Sequence, residues 1–329
     1  MVQLFENKLW IDGCFDFTHY GHAGAILQAR RTIPKFIKDG ELLCGVHNDY
    51  EITLNKGPPV MNSEERYAHT ESNRWCSSII RDAPYVTDPK VLDSYGCKYV
   101  VHGDDITLDA QGNDCYQEMK DLGRFRVVKR TDGVSTTDII HRMLTHEYIY
   151  DDNLPSIELM SRYASDINGY DPRCTVYEGT LDNILIKGTT RNNNSNNNDN
   201  KTATKQVIII GDFDLFHMGH IEQIKNANEK IYPNHEIIIG LKKLDNNQNK
   251  TIMSIKERLL SILSCKYIDG IIIDPIEDNN KSSENIQIDD SRLKLNGKFS
   301  YLTKQTIIDR IESQRDLYIA RNLKKGMSY

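Results

Sequence analysis

The sequence lacks the features that would mark a membrane-spanning, secreted or nucleic-acid-binding chain. No apolar run approaches the roughly 20 residues needed to cross a bilayer, so no transmembrane segment is expected. The opening MVQLFENKLWIDG has no basic segment followed by an apolar stretch, so no secretory signal is expected either. Positive charge is in deficit: 41 Lys and Arg stand against 47 Asp and Glu, a net charge of −6. Binding a phosphate backbone calls for a basic footprint, so nucleic acid is not an expected partner. The seven cysteines are scattered and form no CxxC pair. That argues against a disulfide framework or a zinc site and points to the reducing cytoplasm.

What the sequence does contain is alternation. At roughly 150 residues per domain, 329 residues suggest two domains. Residues 8–12 and 41–47 read as apolar strands, and 22–33 between them has helical spacing. Ser63 with Glu64 and Glu65 reads as the start of a helix running to about Ile80. Strands are expected at 98–101 and 125–129, and helices at 115–122 and from Ser135 to about Leu144. The expected fold is α/β: a Rossmann-like, doubly wound parallel sheet over residues 1–145. Residues 146–204 read as a linker region holding the asparagine-rich, low-complexity stretch 191–201, although 175–188 has strand-like pieces.

Beyond the linker the pattern restarts. KQVIIIGDFDLFHMGHIEQI at 205–224 mirrors KLWIDGCFDFTHYGHAGAIL at 8–27, an offset of 198. Met61, Glu65 and Arg66 match Met253, Glu257 and Arg258 at an offset of 192, and Ile139, Ile140 and Arg142 match Ile307, Ile308 and Arg310 at 168. Three blocks in the same order imply a tandem duplication, with a second domain at 205–329 that has lost loop residues.

The chemistry gathers in the first copy. Phe15-Asp16-Phe17-Thr18-His19-Tyr20-Gly21-His22 follows a strand and opens a helix. Two imidazoles three residues apart at a helix start share one face, and Gly21 between them lets backbone approach a ligand. The helix N-terminus adds N–H groups and partial positive charge, which suits nucleotide phosphates. His19 and His22 have metal-like HxxH spacing, but no third ligand stands at a recognisable distance, so no metal centre is expected. Three loops could meet the imidazoles at one sheet edge: NKGPPVM with Lys56, VHGDDI with Gly103 and Asp104, and RTDGVSTT from 130 to 137. Arg130 can hold phosphate oxygens bidentately, Gly133 relaxes the turn, and Ser135 and Thr136 offer hydroxyls at a helix start.

His19–His22 together with Arg130–Thr136 resemble the double signature of the cytidylyltransferase family of nucleotidyltransferases. The similarity extends to KGPPVMNSEERY, VHGDDIT, GDFDLFHMGH and YIARNLKKG, nearly the whole chain. Two such domains resemble the branch that acts on phosphoethanolamine. The choline-phosphate branch has one catalytic domain and a membrane-binding amphipathic tail, and no such helix is evident here. The resemblance implies CTP and phosphoethanolamine as substrates, CDP-ethanolamine and pyrophosphate as products, and Mg²⁺ accompanying CTP. It implies phospholipid synthesis in the cytoplasm, with weak peripheral contact to the endoplasmic reticulum. His19, His22, Lys56 and Arg130 would be catalytic. Cys14, Phe15, Asp16, Gly21, Arg74, Gly103, Asp104, Thr131, Gly133, Ser135 and Thr136 would line CTP, and Lys56 and Trp75 the second substrate.

The second copy keeps Gly211, Phe213, Asp214, His217 and His220, which could hold a nucleotide weakly. It places Lys298 at the Arg130 position, Tyr301 at the Gly133 position and Thr303 at the Ser135 position, with Lys250 as a substitute for Lys56. One competent site, in the first domain, is expected. The alternatives are a choline-phosphate enzyme, a non-catalytic nucleotide sensor and an RNA-binding synthetase fragment; the negative charge and the missing KMSKS-like loop disfavour the last.

Overall fold

The computed structural model describes residues 3–147, 149, 153–189, 205–243, 251–276, 285–289 and 297–329. They form two compact units. The first comprises Met1–Thr145, Ile167–Tyr170 and Ile307–Tyr329; the second comprises His146–Asp166 and Asp171–Thr306.

The first unit alternates strands and helices: β1 (Phe5–Gly13), α1 (Tyr20–Arg31), β2 (Glu41–Val46), α2 (Asp49–Lys56), α3 (Ser63–Glu71), β3 (Ser78–Arg81), α4 (Pro89–Ser94), β4 (Cys97–Gly103), α5 (Gln117–Asp121), β5 (Phe125–Val128) and α6 (Thr136–Thr145). All pairings are parallel, in the order β3-β2-β1-β4-β5. This is the expected doubly wound sheet. The direction of winding reverses between β1 and β4, and a crevice opens there at the carboxyl ends of the strands.

Its core is built around Trp10, which is wholly buried among Leu43, Tyr85, Leu92, Val100 and Met119. Gly45 on β2 lies against that ring: a Cβ there would stand 2.5 Å from it, so no larger residue fits. The helices start where short polar side chains can cap them. Asn48 accepts from Glu51 N at 2.8 Å, and Asn62 with Glu65 forms a reciprocal capping box. The cap of α3 is thus Asn62, one residue before the Ser63 read from the sequence.

The long helix expected to reach Ile80 stops at Glu71. The Asn73 side chain accepts from Trp75 N, breaking the helical ladder, and Ser77 N donates to Leu42 O, returning the chain to β2 as a strand.

The second unit contains α7 (Ile157–Tyr163), β6 (Thr175–Glu178), β7 (Thr180–Ile186), β8 (Gln206–Gly211), α8 (Met218–Asn226) with a π-helical turn at Ala227–Ile231, β9 (Glu236–Leu241), α9 (Ile255–Leu263), β10 (Gly270–Ile273) and β11 (Asn285–Asp289). Its sheet runs β11-β8-β9-β10-β6-β7, parallel except for the antiparallel β6–β7 pair. The strands β10-β9-β8-β11 repeat β3-β2-β1-β4, as the duplication requires, and among the described residues the sheet shows no strand in the place of β5.

The structure divides the chain differently from the sequence reading. Helix α7 and strands β6 and β7 lie within the region 146–204 read as a linker, and β6 and β7 complete the second sheet. The asparagine-rich stretch and Lys250 lie outside the described residues. The final helices are α10 (Lys304–Glu312) and α11 (Arg315–Leu323), and the chain from Ile307 onward belongs to the first unit, not the second. Among the described residues no helix is long and apolar enough to cross a membrane.

A buried ion pair anchors that returning segment. Both Arg310 nitrogens Nη1 and Nη2 reach Glu65 oxygens at 2.7 Å, and the Glu65 side chain is fully buried. Removing one member of such a pair costs about 3–5 kcal/mol, because the other charge stays out of water without its partner. Arg310→Ala is therefore expected to lower the stability of the first unit by that order. Both tryptophans, Trp10 and Trp75, lie in this unit, so tryptophan fluorescence in a urea titration reads it directly. An unchanged midpoint would contradict the anchoring role.

Candidate active site

The turn after β1 is held in an unusual backbone shape. Phe15 and Phe17 both adopt left-handed φ angles, 46° and 51°. Strain of this kind in non-glycine residues persists only where surrounding contacts over-determine it. Here they do. The guanidinium of Arg66, with no exposed side-chain surface, donates to Cys14 O and His47 O at 2.7 Å each. Thr18 Oγ1 donates to Phe15 O at 2.9 Å.

Asp16 joins the loops. Its buried carboxylate accepts from Val60 N and Met61 N at 2.9–3.1 Å, pinning the loop that follows Lys56. Its backbone carbonyl accepts from Thr136 Oγ1 at 3.0 Å, pinning the start of α6. From α1, Tyr20 donates to Asp132 O and Gln28 to Lys129 O, fixing the turn that carries Arg130.

The imidazole arrangement follows from capping. His19 is the N-cap of α1, and its Nδ1 accepts from Gly21 N at 3.1 Å. In the neutral ring the proton is therefore on Nε2, which is buried without a partner, as is His22 Nδ1. The two rings stack at 4.1 Å between centroids. Burial, then the charge of its neighbours, drives the His19 pKa well below its ordinary value. Burial, Lys56 and Arg130 push His22 down to about 4. Both rings are thus neutral at pH 7 and able to donate.

The parts converge on one cleft of about 700 Å³. Of the residues singled out in the sequence, Cys14, Phe15, Asp16, His19, Gly21, His22, Lys56, Gly103, Arg130, Thr131, Ser135 and Thr136 all line it. Arg130 and Lys56 are exposed on its wall, and among the described residues neither is paired with a carboxylate.

Several expectations need correction. Trp75 is wholly buried and Arg74 nearly so, and neither lines the cleft. Asp104 does not line it; it accepts from Arg130 N at 3.0 Å, a bond that lowers its own pKa, and so acts on the turn from behind. Gly133 is needed for its φ of +91° rather than as cleft surface. Gly21 serves packing: a Cβ would sit 2.8 Å from the His19 ring and 2.9 Å from Val134 Cγ1. Ser135 Oγ caps α6 by accepting from Asp138 N, and the Thr136 hydroxyl is spent on Asp16. What α6 can offer an anion is its first N–H groups, not those hydroxyls.

Sequence reading also missed members. Asp12, on the cleft floor, accepts from Trp10 Nε1, Thr87 Oγ1 and Tyr116 OH, and burial with this carboxylate raises the Tyr116 pKa. His102, Asp105, Arg321 and Lys325 line the cleft too. The only sequence signal for the last two was the basic ARNLKK.

The second unit reproduces the frame but fills the site. Phe213 and Leu215 repeat the left-handed pair, His217 caps α8 with Nδ1 on Gly219 N, and Asp214 accepts from Ile252 N and Met253 N. Phe216, buried in the place of Thr18, stacks on His220 with ring planes 9° apart. Lys304 pairs with Asp214 at 2.6 Å, and Leu302 O would meet a Gly219 Cβ at 2.2 Å. Lys298 donates its backbone N–H to Glu222, and Tyr301 is half exposed.

Comparison with known proteins agrees with this doubling. A cytidylyltransferase-like family matches residues 10–142 and again 208–319. The chain is 51% identical to ethanolamine-phosphate cytidylyltransferase of Saccharomyces cerevisiae, over 99% of both chains. It is 40% identical to a probable ethanolamine-phosphate cytidylyltransferase of Schizosaccharomyces pombe, over 82% of this chain and 73% of that one. Choline-phosphate cytidylyltransferase A of Mus musculus is 37% identical but spans 44% of this chain and 38% of its own. The chain belongs to the cytidylyltransferase-like family, in its ethanolamine-phosphate cytidylyltransferase branch.

Proposed function

We propose that this chain transfers the cytidylyl group of CTP to phosphoethanolamine, releasing pyrophosphate and CDP-ethanolamine, and that the first unit carries the reaction. The observation behind this reading is the single cleft shared by the paired imidazoles, Lys56 and the Arg130–Thr136 turn. A phosphate oxygen of phosphoethanolamine attacks the α-phosphorus in line. The bond from that phosphorus to the bridging oxygen breaks, and pyrophosphate leaves with the electron pair. The nucleophile is already an anion, so no strong base is needed. The protein's task is to hold two anions together and offset charge on the α-phosphate and leaving group. His19 Nε2 and the N–H of His22 donate to that charge, Lys56 bridges the phosphates, and Arg130 with the start of α6 holds the β- and γ-phosphates.

Mg²⁺ accompanying CTP would be held mainly by phosphate oxygens and water, and would supply positive charge to the triphosphate. This suits the donor set. The carboxylates of Asp12, Asp16 and Asp138 already accept from N–H or O–H donors, which among the described residues leaves Asp105 as the open carboxylate of the cleft. Two water-soluble substrates support a cytoplasmic setting, with contact at the endoplasmic reticulum no more than peripheral. For the second unit, the stacked Phe216 and the Lys304–Asp214 pair support a structural rather than a nucleotide-binding role.

His22→Ala is expected to lower kcat by about 10²–10³, the usual cost of losing one charge-stabilising donor. Circular dichroism should stay unchanged, and labelled CTP with phosphoethanolamine, phosphocholine or glycerol 3-phosphate identifies the product. Near-normal turnover would refute the role of His22. By contrast, His217→Ala and His220→Ala should leave turnover within a few-fold; its abolition in a folded protein would move the active site to the second unit.

Acid stability follows from the same burial. His22 ionises near 6.5 when unfolded and about 4 when folded, so the folded state resists protonation. Its contribution is intact above 6.5 and is lost as pH falls from there toward 4. The Tm of His22→Asn should therefore drop less between pH 7 and pH 5 than that of the parent. Equal drops would count against a buried neutral ring.

A further inference from the structure

The last residues of the chain are fastened to the start of α6. Tyr318 OH donates to Pro59 O at 3.2 Å and Arg321 Nη1 to Pro58 O at 3.0 Å, which ties α11 to the loop after Lys56. Asn322, wholly buried, donates from Nδ2 to Thr137 O at 3.3 Å and to Tyr329 OH at 2.5 Å. The Tyr329 ring meets His141 of α6 edge-on, with 4.8 Å between centroids. The segment that carries Lys325 is thereby held against α6 both before and after that residue.

The Lys325 ammonium stands 3.3 Å from Thr137 Oγ1, and both residues line the cleft. A lysine just past a helix ordinarily faces the last carbonyls of its own helix. Lys325 instead reaches the amino end of a different helix, where the partial charge is positive. Two positive features facing one another repel, and among the described residues no carboxylate lies within ion-pair distance of this ammonium. Burial lowers its pKa to about 8, so it is mostly protonated at pH 7.

The first turn of α6 has donors to match. Ser135 Oγ accepts from Asp138 N, the third N–H of the helix. The two before it, on Thr136 and Thr137, have no carbonyl within the helix to bond. His19 Nε2, buried without a partner, borders the same cleft. An ammonium set beside such N–H groups suits an anion that accepts from both.

Resting on the reaction proposed above, in which the start of α6 holds the β- and γ-phosphates of CTP, we infer that Lys325 binds those same two phosphates. It stays on them as they leave as pyrophosphate. When the bond to the α-phosphorus breaks, the bridging oxygen keeps the electron pair, and the added charge falls on the group that Lys325 holds. The end of the chain thus supplies one of the cations that offset it.

The test uses the full chain. CTP, and CMP, which lacks the two outer phosphates, are titrated by calorimetry, and steady-state kinetics are run with phosphoethanolamine varied at saturating CTP. Lys325→Ala should weaken CTP binding about 10- to 100-fold, the scale of one charge-assisted hydrogen bond. CMP affinity and KM for phosphoethanolamine should stay within about two-fold, and Lys325→Arg should recover much of the CTP affinity. Unchanged CTP affinity would overturn the inference. So would an equal loss for CMP, which would put the lysine on the nucleoside or the α-phosphate, or a raised KM for phosphoethanolamine alone, which would put it on the acceptor. A parent that binds CTP but forms no CDP-ethanolamine would sink the proposed reaction and leave the calorimetric comparison standing. If circular dichroism shows Lys325→Ala unfolded, Lys325→Gln, which keeps part of the stem without the charge, decides on the same readings.

Discussion

The first unit depends on one buried carboxylate. Asp16 holds the loop after Lys56 through two backbone N–H groups, and its carbonyl holds the start of α6 through Thr136. Two segments distant in sequence are thereby fixed to the turn that carries the imidazoles. A charged acceptor taking N–H donors in a dry setting is stronger than a neutral one and costly to leave unmet. The carboxylate thus sets geometry for groups that themselves face water. The second unit keeps the same device, with Asp214 on Ile252 and Met253, although its cleft residues have diverged. Retention of the frame without the cleft residues marks the bond as architectural.

Arg66 and Arg258 make a matching pair. Each is a buried guanidinium spent on backbone carbonyls at the turn after the matching strand, β1 or β8, at Cys14 and Asp212 respectively. The left-handed Phe15 and Phe17, and their counterparts Phe213 and Leu215, occur beside these bonds. Backbone strain at the turn is balanced by hydrogen bonds from a side chain some fifty residues away, so fold and site share the same contacts. In the second unit the space beside the imidazole is taken by the Phe216 ring, where the first has the small Thr18 hydroxyl.

Much of this was legible in the sequence, for physical reasons. The parallel sheet showed in the alternation of apolar strands and amphipathic helices, and the site in HxGH and RTDGVSTT, whose histidines, glycines and hydroxyls suit a phosphate cradle. Short elements were harder. The strand at 78–81 was absorbed into a helix because its end was set by one asparagine side chain. Trp75 read as a binding wall because an aromatic near a charged residue has the same local pattern whether it faces a cleft or a core. The destination of α11 had no local signal at all. Which sheet a terminal helix joins is decided by long-range contacts such as Arg310 with Glu65, and periodicity does not record them.

That returning segment bears on how the protein is made. Synthesis runs from the amino end, and domains generally fold as they emerge from the ribosome. The first sheet can assemble early, but the wall containing Arg321, Lys325 and Met327 cannot join it until the entire second unit has been translated. A nascent polypeptide stalled after Thr306 would carry both imidazoles and the arginine turn yet lack one side of the cleft. Completion of the cleft is thereby coupled to translation of the whole second unit.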